Sequence, residues 1–250
     1  MSEAAVDIRL CTTVEEFARC LDLQKTIWGF DDIDLVPLRM FVVASKIGGQ
    51  VFGAYDGSAM VGFVLALPGY RQGRVYFHSH MAAVLPDYQG RGIGRGLKLR
   101  QREDALARGI DLIEWTFDPL ELKNARFNIE RLGVIVCRYV RNQYGRTSSP
   151  LHGGLPTDRL VAELWLRTPR VEAVVRGGAV LHNPGCQSVR VPAAIAQLKK
   201  TDRAAAEKVQ TEVREQFEKW LSTGHAVSGF VLDADGGTYL LEPKPKEIPG

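Results

Sequence analysis

Only four cysteines occur in this 250-residue chain, at 11, 20, 137 and 186, and they form no C-x-x-C pair and no zinc spacing. Neither a disulfide framework nor a metal site is expected from them, and a reducing cytoplasm is the simplest setting. Charge of one sign is scarce too: 32 Lys and Arg against 29 Asp and Glu leave a formal net charge of +3. An excess that small, on dispersed residues, argues against a nucleic-acid partner. No apolar run approaches the ~20 residues that span a bilayer. The stretch Met1 to Asp7 has neither a basic n-region nor an apolar h-region. The chain is therefore expected to be cytoplasmic, without a membrane partner. Its glycine-rich segment lacks a Gly-Lys-Ser/Thr ending, so a Walker-type nucleotide site is not expected.

That segment is the most informative part of the chain. Gly90, Gly92, Gly94 and Gly96 alternate with Arg91, Ile93 and Arg95, after an extended run from Val75 to Val84 and before a basic run, Leu97 to Arg108, that stops at Gly109. Strand, glycine turn and helix N-terminus follow in that order. Bare glycines let backbone N–H groups converge on an anion, and the first N–H groups of a helix have no internal acceptor. With the positive end of the helix dipole, a phosphate or pyrophosphate at Gly92 to Gly96 would be stabilised, and Arg91 and Arg95 would add charge. A dinucleotide-dependent oxidoreductase is a rival reading. It is disfavoured because Arg95 stands where the fingerprint Gly90-x-Gly92 needs its third glycine, although Gly94 and Gly96 allow other registers. Nor does a clear acidic ribose partner follow a second strand; Glu114 is the nearest acid.

The remaining patterns give an element order. Val6 to Cys11 reads as a strand; Thr12 or Thr13 with Glu15 and Glu16 starts a helix that Gly29 ends, and Pro37 opens a short helix to Lys46. Gln50 to Tyr55 and Ala59 to Leu67 flank the hairpin signal Asp56-Gly57-Ser58, with Pro68-Gly69 closing the second strand. Arg74 to Leu85, Asp111 to Phe117, Val134 to Val140 and Leu160 to Leu166 are further strands, and Leu120 to Leu132 is a helix ending at Gly133. The order β-α-α-β-β-β-α-β-α-β predicts an α/β (mixed α+β) fold, a twisted mixed sheet with helices on both faces. Residues 1–168 would form this domain and 169–188 a linker with one short strand around Val171 to Val175. Residues 189–250 would form a small β-α-β-β extension whose helix, capped by Asp202, shows an apolar face of Ala206, Val209, Val213, Phe217 and Trp220. So small a piece should pack on the first domain or on a partner subunit, and a homodimer is compatible with that.

The flanks of the glycine turn sharpen its meaning. Val84-x-Pro86-x-x-Gln89-Gly90-x-Gly92-x-Gly94 closely resembles the acyl-CoA pyrophosphate loop of the GNAT superfamily, the acyl-CoA-dependent N-acyltransferases, with Gln89, Gly92 and Gly94 at its three defining positions. Two helices between the first two strands is also the order of that family. The resemblance covers roughly residues 6 to 168. It implies acetyl-CoA or another acyl-CoA as co-substrate, no metal, and a small-molecule amine as acceptor. The cofactor contacts it implies are Ala82, Ala83 and Val84 on the strand, Gln89, Gly90, Arg91, Gly92, Ile93, Gly94, Arg95 and Gly96 in the turn, and Asn124 on the helix before Gly133. Asn128 lies on the same helix face.

Candidates for the chemistry are fewer. His78 lies six residues before Val84, at the offset where several GNAT enzymes keep a catalytic glutamate, and alternation puts His80 on the same face. An imidazole titrates near neutrality and can deprotonate the attacking amine, directly or through water. Glu114 is another candidate base or an acceptor for the substrate ammonium. The family's tyrosine acid would fall at Ile129, so this chain departs from the pattern, leaving Tyr139 or Tyr144 or unassisted thiolate departure. That departure also gives weight to a non-catalytic acyl-CoA-binding module. Finally, the runs Trp115-Thr116-Phe117-Asp118-Pro119, Tyr144-Gly145 and Leu155-Pro156-x-Asp158-Arg159 resemble a GNAT-like branch with the same small C-terminal extension, some members of which are associated with N-acylation of amino acids, including succinylation. In that setting Arg159 would bind an acceptor carboxylate or a dicarboxylic acyl tail.

Overall fold

The computed structural model describes residues 6–29, 31–145, 153–180, 182–183, 185–246 and 248. Positions 181 and 184 of the expected linker lie outside them. By compactness the chain divides into two units, Met1–Glu114 and Trp115–Gly250. The division falls inside a strand, well before residue 168.

The first unit is built from β1 (Asp7–Leu10), α1 (Val14–Trp28), α2 (Leu38–Lys46), β2 (Gln50–Asp56), β3 (Ala59–Arg71), β4 (Arg74–Val84), α3 (Ile93–Ala107) and the start of β5 (Leu112–Phe117). Strands β1 to β4 pair antiparallel in sequence order, and β4 pairs parallel with β5. Thr13 caps α1 in a reciprocal box with Glu16, and Gly29 ends it at φ 59°. Alternation along the strands serves two cores. Phe63, Leu65 and Ala83 pack with Phe17, Cys20 and Phe41 of α1 and α2, while Phe52, Val61 and Val64 pack with Ile93 and Leu97 of α3. At ~25 cal/mol per Å² of apolar surface, each of the Phe, Leu, Ile and Val side chains among these contributes roughly 1.5–3 kcal/mol.

One expectation for this unit needs correction. Strand β3 does not stop at Pro68-Gly69 but runs to Arg71, through pairs Pro68↔Phe77, Gly69↔Tyr76 and Tyr70↔Val75. Proline is tolerated in a strand where no ladder bond needs its nitrogen. Gly69 leaves room there for the Tyr76 ring, which would have to shift if a Cβ stood 2.6 Å from it. The β3–β4 turn is Gln72-Gly73, with φ 51° and 77°, the left-handed pair that suits a two-residue hairpin.

The second unit holds the rest of β5, α4 (Leu122–Arg126), β6 (Ile135–Val140), β7 (Arg159–Trp165), α5 (Pro169–Val175), β8 (Gln187–Pro192), α6 (Ile195–Thr201), α7 (Arg203–Ser222), β9 (His225–Asp233) and β10 (Gly236–Pro243). Its strands run β7-β6-β9-β10-β8, with antiparallel pairing throughout. The helix expected over Leu120 to Leu132 is interrupted: α4 gives way to a π-helical turn at Phe127–Arg131 before Gly133, at φ 80°. The strand expected at Val171 to Val175 is instead α5. Thr168 Oγ1 accepts the Val171 N–H and Pro169 occupies the first helical position, a start signal stronger than the β-branched run behind it. The extension also contains α6, ahead of the long helix that Asp202 caps.

Residues 115–168 and the extension form this unit together because they share a core. Phe217 of α7 stacks on Tyr139 of β6 at 5.8 Å and meets Tyr239 of β10 edge-on at 5.0 Å. Tyr239 is fully buried, and its hydroxyl donates to Pro119 O at 2.7 Å. Among the described residues no helix is long and apolar enough to cross a membrane, and no group of three or more His, Cys, Asp or Glu is placed to hold a metal ion.

Candidate active site

Strand β4 delivers the chain into the glycine turn with a defined polarity. The Leu85 N–H donates to Val61 O of β3 at 2.9 Å. Backbone groups alternate in direction along a strand, so Ala83 also faces β3, while Ala82 and Val84 face away from it. The Val84 carbonyl is accordingly met by Gln89 Nε2 at 3.0 Å, which ties the turn back onto the strand. Ala82 is exposed and Ala83 buried. Of the three strand positions expected to touch the acyl arm, Ala82 and Val84 turn their backbone groups away from β3 and Ala83 turns its own toward it.

After a 3-10 turn at Pro86–Tyr88, Gly90 and Gly92 adopt φ 78° and 82°. Nothing crowds either α-carbon within 4 Å, so conformation, and not packing, demands glycine there. Gly92 is the N-cap of α3, and no side chain caps this helix. The first N–H groups of α3, those of Ile93 and Gly94 among them, lack an acceptor within the helix. The Ile93 side chain is buried, which leaves only its backbone for a ligand. Arg95 lies half-buried on the first turn, and the exposed Arg91 sits 4.9 Å over the Tyr88 ring, whose hydroxyl donates to Asp56 at 2.8 Å. Gly96 has a different task. Its N–H is spent on Gly92 O, and a Cβ would stand 2.7 Å from Ile8 Cδ1, so it serves the approach of α3 to β1.

His78, His80 and Glu114 come together in the first unit. The β4–β5 ladder consists of Phe77↔Ile113 and His78↔Glu114. Nδ1 of His78 is 3.7 Å from Glu114 Oε1, beyond hydrogen-bond length. A bulge between Leu65 and Ala66 leaves His80 as the extra residue of β4, and its ring lies 6.3 Å from that of His78. His80 keeps solvent contact, yet desolvation first and the neighbouring His78 second hold its pKa below the ordinary imidazole value. The buried Glu114 also receives Arg71 Nη1 on Oε2 at 2.9 Å. Ending β3 at Leu67 hides this arginine from sequence reasoning; the two-residue turn Gln72-Gly73 was the signal that could have found it.

On the opposite face of β4 lies a residue that motif reading does not single out. Lys98 of α3 is buried, and its Nζ donates to Ser79 Oγ at 2.7 Å, while Ser79 donates to Gln101 Oε1 at 3.0 Å. Burial pushes the ammonium down from 10.5 to about 7. Below about pH 7 folded and unfolded chains both bind this proton, and the folded state bears the full cost of a buried charge. Between about 7 and 10.5 the unfolded chain binds more protons, so stability rises with pH. The melting temperature should therefore climb from about pH 7 to 9.5, and Lys98→Met should flatten the climb and melt higher than wild type near pH 6.5. Parallel melting curves for the two proteins across that range would remove Lys98 as the source.

In the second unit the structure brings Tyr144 and Arg159 together. The Tyr144 hydroxyl is 2.8 Å from Thr116 Oγ1, and the buried Arg159 sits with Cζ 5.4 Å over the Tyr144 ring and donates from Nη1 to Asp158 O at 2.9 Å. Asn124 and Asn128 share a helix face as expected, but with different roles. Asn128 is buried, accepting Trp115 Nε1 at 3.2 Å and donating to Asn124 Oδ1 at 3.3 Å, whereas Asn124 is exposed.

An uncapped glycine turn at the end of β4 presents the first backbone N–H groups of a helix to an anion such as a phosphate. Residues 48–133, about a third of the chain, match the model of the acetyltransferase (GNAT) domain, and this chain carries such a domain. No curated protein sequence matches it. Among solved structures, the ribosomal-protein-S18-alanine N-acetyltransferase of Escherichia coli superposes with a TM-score of 0.52 at 16% identity, over 66% of this chain and 96% of that one. Naa50 of Arabidopsis thaliana, in complex with a bisubstrate analogue of CoA and a peptide, gives 0.51 at 14% identity, over 64% and 98%. The yncA protein of Salmonella typhimurium, with its cofactor acetyl-CoA, gives 0.51 at 18% identity, over 68% and 99%. These likenesses establish a shared fold.

Proposed function

We propose that this chain transfers an acyl group, acetyl or succinyl, from acyl-CoA to the amine of a small carboxylate-bearing molecule such as an amino acid. The amine nitrogen attacks the thioester carbonyl directly, the C–S bond breaks, and CoA leaves as the thiolate. The observation that carries the reading is the left-handed, uncapped Gly92 at the head of α3. The N–H groups of Ile93 and Gly94, with Arg91 and Arg95, would hold the pyrophosphate. The outward-facing backbone of Ala82 and Val84 would pair with the pantetheine arm and polarise the thioester carbonyl.

His78 is the proposed base. Its ring lies beside Glu114, a carboxylate that Arg71 holds by its other oxygen, so an imidazolium formed at His78 would face a fixed negative charge. Tyr144 is proposed to protonate the departing thiolate. Arg159 is proposed to bind the acceptor carboxylate, because a guanidinium already held against a ring and a backbone carbonyl loses little freedom in making a bidentate contact. Asn124 is proposed as a contact to the CoA arm.

The acceptor class is tested by steady-state turnover of acetyl-CoA and succinyl-CoA with free amino acids, their carboxamides, and peptides with free N-termini. A kcat/KM at least about tenfold higher for free amino acids than for amides and peptides, worth about 1.4 kcal/mol, is the expected result. Preference for peptides would move the acceptor to a protein N-terminus, as the names of the Escherichia coli enzyme and of the Naa50 complex would suggest. Tight acyl-CoA binding with no acceptor turned over would point to a non-catalytic module.

A further inference from the structure

We propose that α7 of the C-terminal extension sets acceptor selectivity, with Arg214 as the positioning residue that fixes the Tyr144 and Arg159 pair through Asp158. The inference rests on the acceptor reading above.

Asp158 is 1% exposed, and its carboxylate joins three elements. Oδ2 accepts Arg214 Nε of α7 at 2.7 Å and the Tyr139 hydroxyl of β6 at 2.6 Å, and Oδ1 accepts the Asn142 N–H at 2.9 Å. The neighbouring Thr157 completes the link. Its Oγ1 accepts the Tyr144 N–H at 2.9 Å and donates to Gly145 O at 3.1 Å, while its own N–H donates to Asn142 Oδ1 at 3.1 Å. Asn142 itself sits at φ 44°, in the left-handed region that asparagine tolerates better than most side chains. Gln210, one turn before Arg214, adds a bond from Nε2 to Pro156 O at 2.8 Å.

Residues 156–159 are thus gripped on one side by α7 and on the other by the turn that carries Tyr144. Arg159 follows Asp158 directly and takes its carbonyl as a partner. Removing Arg214 would leave a buried carboxylate without its cation, and a buried charge that loses its partner drives local rearrangement. The segment free to move is the one that orients Tyr144 and Arg159. Selectivity for a carboxylate-bearing acceptor is therefore coupled to the extension, although α7 itself supplies no group to the acceptor.

The test measures the ratio of kcat/KM for a free amino acid to that for its carboxamide, in wild type, Arg159→Gln, Arg214→Ala, Arg214→Lys and Gln210→Leu, with acetyl-CoA affinity measured by calorimetry. Arg159→Gln should abolish the ratio. Arg214→Ala should lower it about tenfold through acceptor KM, with kcat changed less and acetyl-CoA affinity kept within about twofold. Arg214→Lys, which keeps a cation beside Asp158, should restore most of the ratio, and Gln210→Leu should give a smaller loss than Arg214→Ala. Should Arg214→Ala fail to bind acetyl-CoA, the Lys and Gln210→Leu proteins carry the test. A ratio lost in Arg159→Gln but kept at the wild-type value across the Arg214 and Gln210 variants overturns the role of α7 and leaves the acceptor reading intact. A wild-type enzyme indifferent to the carboxylate overturns the acceptor reading itself and the inference with it.

Discussion

Replacing His78 by glutamine is expected to lower kcat by roughly 10²–10⁴ while leaving acetyl-CoA affinity within about twofold. Glutamine keeps a polar side chain on β4 but cannot take a proton. The expectation follows from how β4 and β5 pair: His78 stands opposite Glu114, with Nδ1 3.7 Å from one carboxylate oxygen while Arg71 holds the other. Glu114 already holds the Arg71 cation on one oxygen and faces His78 with the other, which suits it to stabilise an imidazolium rather than to act as the base. His80 supplies the comparison. Desolvation and the neighbouring His78 lower its pKa, and it lies outside the short ladder that sets His78 opposite Glu114, so His80→Gln should cost less. Equal rates for both variants and wild type from about pH 6 to 9 would return both histidines to a structural role.

The second large effect is expected at Gly92. Gly92→Asp should weaken acetyl-CoA binding by about two orders of magnitude, roughly 2.7 kcal/mol. Two causes act together: φ is 82°, which an L-residue adopts at a cost, and a carboxylate would stand at the mouth of a site built for phosphate. Gly92→Asn isolates the charge, because asparagine and aspartate tolerate the left-handed region alike and only aspartate carries a charge. It should retain most of the affinity lost in Gly92→Asp. The open space around this α-carbon means that neither variant should collide with the fold. Calorimetry returning the wild-type dissociation constant for a folded Gly92→Asp protein would end the assignment of this turn to phosphate.

The elements that the sequence announces most clearly are those with local causes. Thr13 and Glu16, Gly29, and the Asp56-Gly57-Ser58 turn are read from adjacent residues and reappear as a capping box, a left-handed C-cap and a hairpin. The same holds for the N-terminus of α3, whose glycines need no distant partner to be understood. Features that depend on tertiary context are harder to see. Pro68-Gly69 looks like a stop until the Tyr76 ring is found lying against the glycine, and with the strand cut short Arg71 loses its connection to Glu114. Val171 to Val175 has strand composition, and only the cap at Thr168 reveals a helix. Gly96 belongs to the glycine pattern by sequence and to the packing of α3 against Ile8 by geometry. In the sequence Asp158 is legible only as part of a motif, because its partners Tyr139, Asn142 and Arg214 are 16 to 56 residues away.

Acyl transfer itself is tested most directly by incubating the protein with acetyl-CoA and a pool of amino acids and small amines, then following both products by mass spectrometry. A new N-acylated amine is expected, with free CoA released in equal amount and neither formed when protein or amine is left out. Acetyl-CoA that binds the protein but is recovered intact, with no acylated amine across the pool and with succinyl-CoA behaving the same way, would contradict it.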